Sequence, residues 1–358
     1  MSGGTLFASG LVVHICAEHR PLLVRIRRTL ELTMNPRQCG RRWEMVMIDE
    51  ETLRLFEANT AFRHGGDAER LRLEHKPEGV ASVMDIPYVG ESDPSHDVLH
   101  KLDVHRPADI PTKKSLPVIV DFHGGGLYHG DKRNTTCRDM LFAKHGFAVV
   151  NANYRLVPQV SFRDQLADAV RALDWIAKHC EEHGFDTTRV FITGDSAATL
   201  LDLYLCAVLH SPIVAAQLCV SPGTSGLCIR GIAGVSGMYR FEGGAHGTAM
   251  AYYGSGFFPT PKDRIAITPY LDMDRLVVDG NLPPILMVSS AEDYLADNTL
   301  EFARILQYRH HDYEVRVLPR GLSHPLDHDF SVKETGLPDN TEALDVLNGI
   351  IRFFRRYC

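Results

Sequence analysis

Two short motifs contain residues that could carry out chemistry at a carbonyl group. Residues 123–126 read HGGG and follow the apolar run Leu116 to Phe122, while residues 194–197 read GDSA. The second motif places Ser196 between a strand-like run and a helix-like run. A strand–turn–helix with serine at the turn holds the hydroxyl clear of the sheet, and a glycine-rich loop offers N–H donors to an oxyanion. Together the motifs predict acyl transfer through a serine ester.

Ser196 needs two partners, because a serine hydroxyl is a poor nucleophile until a base takes its proton. Asp293 follows one apolar strand-like run, and His324 follows the next one. The carboxyl ends of strands are where the active-site loops of an open sheet gather. We therefore predict Ser196 as the nucleophile, Asp293 as the orienting acid and His324 as the base.

The acid has a rival in the sequence. Glu292 precedes Asp293 directly and carries the same functional group. Asp297, a little further on, could instead cap a helix that begins at Asn298.

The base also has a rival, because His328 lies four residues after His324. We prefer His324, since it is closer to the end of the strand and follows a glycine turn. A metal site formed by His324, Asp327 and His328 is a further alternative. Their spacing matches no recognised ligand set, however, and Pro325 disrupts a regular helix, so the base is the favoured interpretation.

The glycine-rich loop could in principle cradle a phosphate. A dinucleotide fingerprint needs GxGxxG, and a P-loop needs a GK[ST] ending. Residues 124–130 read GGGLYHG and fit neither pattern. The oxyanion interpretation is therefore favoured.

The elements that must position these residues alternate along the chain. An antiparallel pair of strands is predicted at 80–89 and 98–104, and apolar strand-like runs then alternate with helical patterns. This alternation predicts an α/β fold with a mostly parallel sheet flanked by helices. Residues 221–260 could be an irregular loop or contain a short strand at 232–235. The other predicted strands are 116–122, 148–153, 190–193, 216–220, 285–290 and 314–318, and helices are predicted at 49–56, 162–179, 197–209 and 298–309.

The composition excludes several classes of protein. The chain has 358 residues, of which 44% are hydrophobic and 23% charged, as is ordinary for a globular enzyme. The net charge of −7 gives no reason to expect nucleic acid as a partner. No apolar stretch approaches the ~20 residues of a membrane span, so we expect no stable membrane insertion. The eight cysteines form no CxxC pair, which favours a reducing, cytoplasmic location.

Several motifs in one order resemble the hormone-sensitive-lipase-like group of α/β-hydrolase carboxylesterases. The resemblance runs from about Val80 to the C-terminus and implies an α/β-hydrolase fold. It assigns Ser196, Asp293 and His324 to the catalytic triad. The motifs are HGGG at 123–126, YRLVP at 154–158, DAVRALDW at 168–175, GDSA at 194–197, LPPIL at 282–286 and GLSH at 321–324.

The resemblance also implies further features of the site and of the domain organisation. The amides of Gly125, Gly126 and Ala197 would be the oxyanion donors, and the YRLVP and DAVRALDW motifs would support the loop behind the nucleophile. Residues 1–78 would form an N-terminal cap over the acyl pocket, and residues 79–358 the catalytic domain. The chain departs from the family pattern at Ala198 and at Pro325, where the family usually has glycine.

These observations predict a serine hydrolase that cleaves small-molecule carboxylic esters of short to medium acyl chains through an acyl-enzyme. No metal or organic cofactor is required. An amide or formamide hydrolase, or an eliminating or ligand-binding member of the fold, is the alternative. The family resembles plant hormone receptors that have lost the catalytic histidine, so a histidine in place favours an enzyme. The C-terminal helical pattern at 341–356 could pair with a second copy, giving a homo-oligomer.

Overall fold

The computed structural model describes residues 4–8, 11–15, 50–241, 256–321, 323–338 and 340–358. The chain divides into two compact units, one comprising residues 1–44 with 89–97 and the other residues 45–88 with 98–358. In the first unit, strands β1 (Gly4–Ala8) and β2 (Leu11–Ile15) pair in antiparallel fashion.

Half of the segment predicted as a cap, residues 1–78, lies outside the described residues. Besides β1 and β2, the structure describes helix α1 (Glu50–Leu73) and the residues that follow it. The helix predicted at 49–56 is present and continues well beyond that range. The division into a cap and a catalytic domain stays a prediction.

The second unit is built on a sheet of eight described strands, in the order β10-β9-β8-β7-β5-β6-β4-β3. β4 is antiparallel to both of its neighbours, β3 and β6, and the other neighbouring strands are parallel. This confirms the predicted α/β fold with a mostly parallel sheet. The strands are β3 (Val80–Pro87), β4 (Lys101–Pro107), β5 (Leu116–Phe122), β6 (Ala148–Ala152), β7 (Phe185–Asp195), β8 (Ile229–Val235), β9 (Ile285–Ser290) and β10 (Tyr313–Leu318).

Helices connect the strands and flank the sheet, as the predicted alternation requires. Those after α1 are α2 (Thr136–Lys144), α3 (Phe162–Lys178), α4 (Cys180–His183), α5 (Ala197–His210), α6 (Pro212–Leu218), α7 (Pro261–Ile267), α8 (Met273–Gly280), α9 (Ala296–Tyr308), α10 (Phe330–Lys333) and α11 (Thr341–Arg356). Local sequence explains their starts: Ser161, for example, caps α3 in a capping box with Asp164.

One cluster of the buried core lies between the sheet and helices α2 and α11. Ile119 of β5 and Val288 of β9 pack there with Phe142 of α2. Phe354 of α11 stacks on Phe191 of β7, with ring centroids 4.6 Å apart. Burying side chains of this size contributes roughly 1.5–3 kcal/mol each. The core therefore fixes β5, β7 and β9, the strands from whose carboxyl ends the predicted site residues extend.

Two predicted strands need separate comment. Residues 216–220 were predicted as a strand, and this prediction is wrong, because α6 ends only at Leu218. The apolar run alone did not indicate where this helix begins. Ser211 caps the helix by accepting the N–H of Val214, and Pro212 occupies the first turn, where proline is tolerated. The short strand at 232–235 is present as part of β8, and residues 242–255 lie outside the described residues.

Within the described parts of the chain, no single helix is both long and apolar enough to cross a membrane. Helices α5 and α6 reach the length and apolar composition of a membrane span only as a pair, and a bend of 117° separates the two helices. Most side chains of α5 are buried inside the fold.

Candidate active site

Ser196 occupies a sharp turn between β7 and α5. Its backbone has φ 51° and ψ −121°, a conformation that is rare for a residue with a side chain and that marks a strained turn. The turn is held on both sides, because the Ser196 N–H donates to the carbonyl of Val235 (2.9 Å) and its carbonyl accepts the N–H of Met238 (2.8 Å). The backbone thus holds the serine at the N-terminus of a helix, where the helix dipole favours developing negative charge.

The imidazole of His328 connects Ser196 with Asp293. Its Nε2 lies 2.9 Å from Ser196 Oγ, and its Nδ1–H donates to Asp293 Oδ1 at 2.9 Å. All three residues are at least nine-tenths buried. A serine, a histidine and a carboxylate in this order form the contact chain of a nucleophile, a base and an orienting acid.

The prediction that His324 is the base is wrong, because His328 is the histidine that contacts Ser196. His324 makes its contacts elsewhere: Nδ1 is hydrogen-bonded to Ser323 Oγ (3.0 Å), and Nε2 contacts the Glu334 carboxylate at 3.0 Å. Proximity to the strand end was a poor guide, because the chain first folds back on itself. The carboxylate of Glu292 accepts the N–H groups of Gly321 (3.0 Å) and Leu326 (2.8 Å), which fixes the backbone on both sides of His324.

A signal in the sequence could have identified His328. The residue after it, Asp329, has φ 62°, in the left-handed region that favours glycine and that aspartate tolerates. Pro325, which follows His324, cannot adopt this conformation because its ring fixes φ near −65°. The glycine that the family usually has after the histidine therefore corresponds to Asp329, and Pro325 is no departure from that pattern.

Asp293 lies where the sequence predicted it, in the turn after β9. Its Oδ1 accepts the N–H of Leu295 (2.8 Å), and its Oδ2 accepts the hydroxyl of Ser289 (3.2 Å). Burial raises the pKa of Asp293, but the hydrogen bond and charge of His328 outweigh it, and the pKa lies below its ordinary value. The carboxylate is therefore ionised at neutral pH and suited to orient an imidazole.

The two rival acids have other contacts. Glu292 holds the loop through Gly321 and Leu326, as described above. Asp297 does not cap the following helix, because α9 begins at Ala296 and places Asp297 inside its first turn. Of the three acidic residues considered, Asp293 is the one that contacts His328 Nδ1.

The HGGG loop lies next to Ser196 because β5 and β7 are neighbours. Phe122, the last residue of β5, pairs in register with Gly194, two residues before Ser196. A side chain at Gly124 would come within 2.8 Å of the backbone carbonyl oxygen of Asp195, so only glycine allows this approach. Gly125 has φ 104°, which also requires glycine. The loop backbone can therefore pass close to the serine turn.

Side chains behind the loop hold it in place. Tyr154 donates its hydroxyl to the carbonyl of His123 (2.7 Å), and its ring stacks on the imidazole of His123 at 4.6 Å. Arg155 pairs with the buried Asp168 through two hydrogen bonds of 2.7 Å each. Gln165 donates to the carbonyl of Leu127 at 2.7 Å. Residues of the YRLVP and DAVRALDW motifs therefore support the loop, as the resemblance implies.

Helix α1 also contacts this loop. His129 Nε2–H donates to Asp67 at 2.8 Å, and Asn134 donates to the same carboxylate oxygen at 3.1 Å. The N-terminal segment therefore supplies at least one described residue that anchors the loop beside the candidate site.

Ala198, where the family usually has glycine, is accommodated by Gly194, the penultimate residue of β7. Ala198 is fully buried, and a Cβ built on Gly194 would lie 2.9 Å from its methyl carbon. Such contacts are shorter than protein interiors allow. The absence of a side chain at Gly194 therefore makes room for the extra methyl group.

The fold and the contact chain define a class of protein. A family model described as alpha/beta hydrolase fold matches residues 119–326, which is more than half of the chain. The chain belongs to this family, and the resemblance to its hormone-sensitive-lipase-like group is confirmed.

Individual relatives match shorter stretches. The chain is 30% identical over 142 residues to tuliposide A-converting enzyme b1 from Tulipa gesneriana, which covers 36% of this chain and 37% of the relative. It is 34% identical over 96 residues to esterase LipI from Mycobacterium tuberculosis, covering 26% of this chain and 30% of the relative. The chain thus spans only about a third of the length of these curated relatives.

A solved structure matches over a longer range. Esterase B from Lactobacillus rhamnosis, in a structure described as inhibited by a tributyrin phosphonate, superposes with a TM-score of 0.77. The superposition covers 87% of this chain and 96% of that chain at 24% sequence identity. At this identity the likeness supports the fold.

Proposed function

We propose that this protein is a serine hydrolase that cleaves small-molecule carboxylic esters of short to medium acyl chains. The observation that carries the proposal is the contact chain from Ser196 Oγ through His328 to Asp293, with both hydrogen bonds at 2.9 Å. The match to esterase LipI supports it at the level of reaction class, because that relative is named an esterase.

The reaction begins at the serine hydroxyl. Neutral His328 accepts the Ser196 proton on Nε2 while Oγ forms a bond to the ester carbonyl carbon. Asp293 accepts a hydrogen bond from Nδ1–H, which fixes the tautomer with a free lone pair on Nε2 and stabilises the imidazolium that forms. The Nε2 proton then passes to the leaving alkoxide, and a water molecule activated by the same nitrogen hydrolyses the acyl-enzyme.

The oxyanion of the tetrahedral intermediate is assigned to three backbone amides. Ala197 is the first residue of α5, where N–H groups have no partner within the helix. Gly125 and Gly126 follow β5 in the loop that passes the serine turn. Such donors typically contribute about 10²–10³-fold each to kcat.

The proposal is tested by initial rates on p-nitrophenyl esters with acyl chains of increasing length. We expect hydrolysis of the acetate and butyrate esters, and a decline for the longest chains. Hydrolysis of long-chain esters alone would overturn the acyl range. The absence of hydrolysis of every ester by folded protein would overturn the reaction class and direct attention to amides and formamides.

Replacing Asp293 with asparagine is expected to lower kcat by about 10⁴-fold. The amide can donate to Nδ1, which stabilises the tautomer whose proton sits on Nε2 and removes the base facing Ser196. Glu292→Gln is the matched control, since Glu292 carries the same charge next door and makes no contact with His328 among the described residues. It should retain activity within about tenfold of wild type. Equal losses in both variants would contradict the assignment of Asp293.

A further inference from the structure

A second carboxylate contacts the same imidazole nitrogen that faces the serine. Asp329 Oδ2 lies 3.2 Å from His328 Nε2, while Ser196 Oγ lies 2.9 Å from that nitrogen. The Asp329 side chain is only 14% exposed. Its other oxygen, Oδ1, is buried without a hydrogen-bond partner among the residues that the structure describes. A proton on Nε2 can therefore be donated to either of two groups.

The backbone holds this carboxylate in place. Asp329 has φ 62° and ψ 19°, and its N–H donates to Ser236 Oγ at 3.1 Å. This conformation favours glycine, so the backbone itself gives no reason for an aspartate here. The side chain is an added acidic group at a position where the simplest residue would satisfy the fold.

The charges around the pair come from several elements. Burial raises the pKa of the Asp329 carboxyl, His328 and Lys333 of α10 oppose the rise, and Asp195 at the end of β7 and Asp293 after β9 add to it. Burial lowers the pKa of His328, but Asp329 and Asp293 outweigh it despite the opposing charge of Lys333, so the pKa of the imidazole is raised. The charge of Asp329 is the largest single cause of that rise in pKa, and Asp293 adds to it through both its hydrogen bond and its charge.

We propose that Asp329 is a positioning residue that retains the proton on His328 and so moves the working pH range of the ester hydrolysis upward. The inference rests on the proposed function. While the imidazolium keeps this proton, Nε2–H faces both Asp329 and Ser196, and His328 cannot act as a base. Once the pair loses this proton, the lone pair of Nε2 faces the serine hydroxyl.

Asp329 exchanges no atoms with the substrate in this scheme. The proton taken from Ser196 travels through His328 to the leaving alkoxide, and Asp329 takes no part in that transfer. Because the same carboxylate also stabilises the imidazolium of the transition state, its removal should lower the rate on the high-pH plateau, by about tenfold at most. The acidic limb of the pH profile is the quantity that it controls.

The sign of the effect follows from which form is active. Activity rises as pH increases through the pKa of His328, because only the neutral imidazole accepts the serine proton. A nearby negative charge favours the imidazolium and raises this pKa. Removing the charge should therefore lower the pH at which activity appears.

The test is the pH dependence of kcat/KM for p-nitrophenyl butyrate, followed at the isosbestic wavelength of p-nitrophenol. Asp329→Asn should lower the apparent pKa of the acidic limb, read from the full profile as the midpoint below the plateau, by about 1 pH unit. Asp329→Gly should give the same shift, since glycine suits the backbone and also lacks the charge. An acidic limb that stays within about 0.3 pH unit of wild type in both variants overturns the proposal, because a charge in contact typically shifts a pKa by more.

Asp327→Asn is the matched control. Asp327 is exposed, lies two residues away and carries the same charge. Its removal should leave the acidic limb unchanged, and a shift as large as that of Asp329→Asn would show that overall charge, and not the contact, sets the limb.

The experiment separates this inference from the proposed function. If no hydrolysis depends on Ser196 at any pH, the proposed function fails. The titration of the His328 ring can then still be followed by NMR, with its signal assigned by its loss in His328→Asn. A lower pKa of this ring in Asp329→Asn supports the assignment of Asp329, and an unchanged pKa overturns it.

Discussion

Ser196→Ala is expected to lower kcat for short p-nitrophenyl esters by about 10⁶-fold, to a rate near that of the remaining backbone donors alone. The alanine keeps the backbone and removes only the oxygen that lies 2.9 Å from His328 Nε2. Without this oxygen no acyl-enzyme can form. The measurement is the initial rate with purified variant at saturating ester.

The control for this variant is a serine that lies close to the site without facing the imidazole. Ser289 donates its hydroxyl to Asp293 at 3.2 Å and is fully buried on β9. Ser289→Ala should reduce kcat by about tenfold at most, because a buried hydrogen bond contributes about 1 kcal/mol. If Ser196→Ala retained activity comparable to Ser289→Ala, Ser196 could not be the nucleophile.

His328→Ala is expected to cost as much as the loss of the serine, again about 10⁶-fold in kcat, because the residues of a triad act as a unit. The double variant with Ser196→Ala should therefore be no slower than either single variant. The measurement is the same ester hydrolysis, with circular dichroism confirming that each variant is folded.

His324→Ala is the matched control for His328→Ala. His324 contacts Ser323 and Glu334, and its removal should leave kcat within about tenfold of wild type. The opposite result, a large loss in His324→Ala with activity kept in His328→Ala, would restore the assignment made from the sequence and contradict the geometry of the structure.

The parts of the site that the sequence predicted well are those fixed by local rules. Ser196 needs a strained turn between a strand and a helix, and the GDSA motif indicates such a turn directly. Asp293 follows β9 within three residues, so its position depends only on where that strand ends. Both predictions used information contained in a few neighbouring residues.

The histidine could not be placed by the same reasoning, because its position depends on contacts between distant residues. His328 is the tenth residue after the end of β10. The course of the loop between them is set by the Glu292 carboxylate and by Ser290, which donates its hydroxyl to the Leu326 carbonyl. Distance from a strand end says little about such a loop. The left-handed backbone conformation of Asp329, which Pro325 cannot adopt, distinguishes His328 from His324 better than the distance from the strand does.

The error at residues 216–220 has a different, local cause. Short apolar runs do not distinguish a buried helix from a strand, and the helix start at Ser211 and Pro212 decides between them. Strands β5 and β9 were predicted with the observed bounds, since each is a compact apolar run without a competing cap. Where local signals agree with one another, the sequence suffices to predict the element.

The central claim is that His328 activates Ser196 for attack on an acyl group. It is tested most directly by labelling with a p-nitrophenyl alkylphosphonate, which forms a stable adduct with an activated serine. Mass spectrometry should show one adduct per chain, on the peptide that contains Ser196, formed rapidly in wild type and in His324→Ala and not in His328→Ala. An adduct on another residue, or unchanged labelling of Ser196 in His328→Ala, would contradict the account.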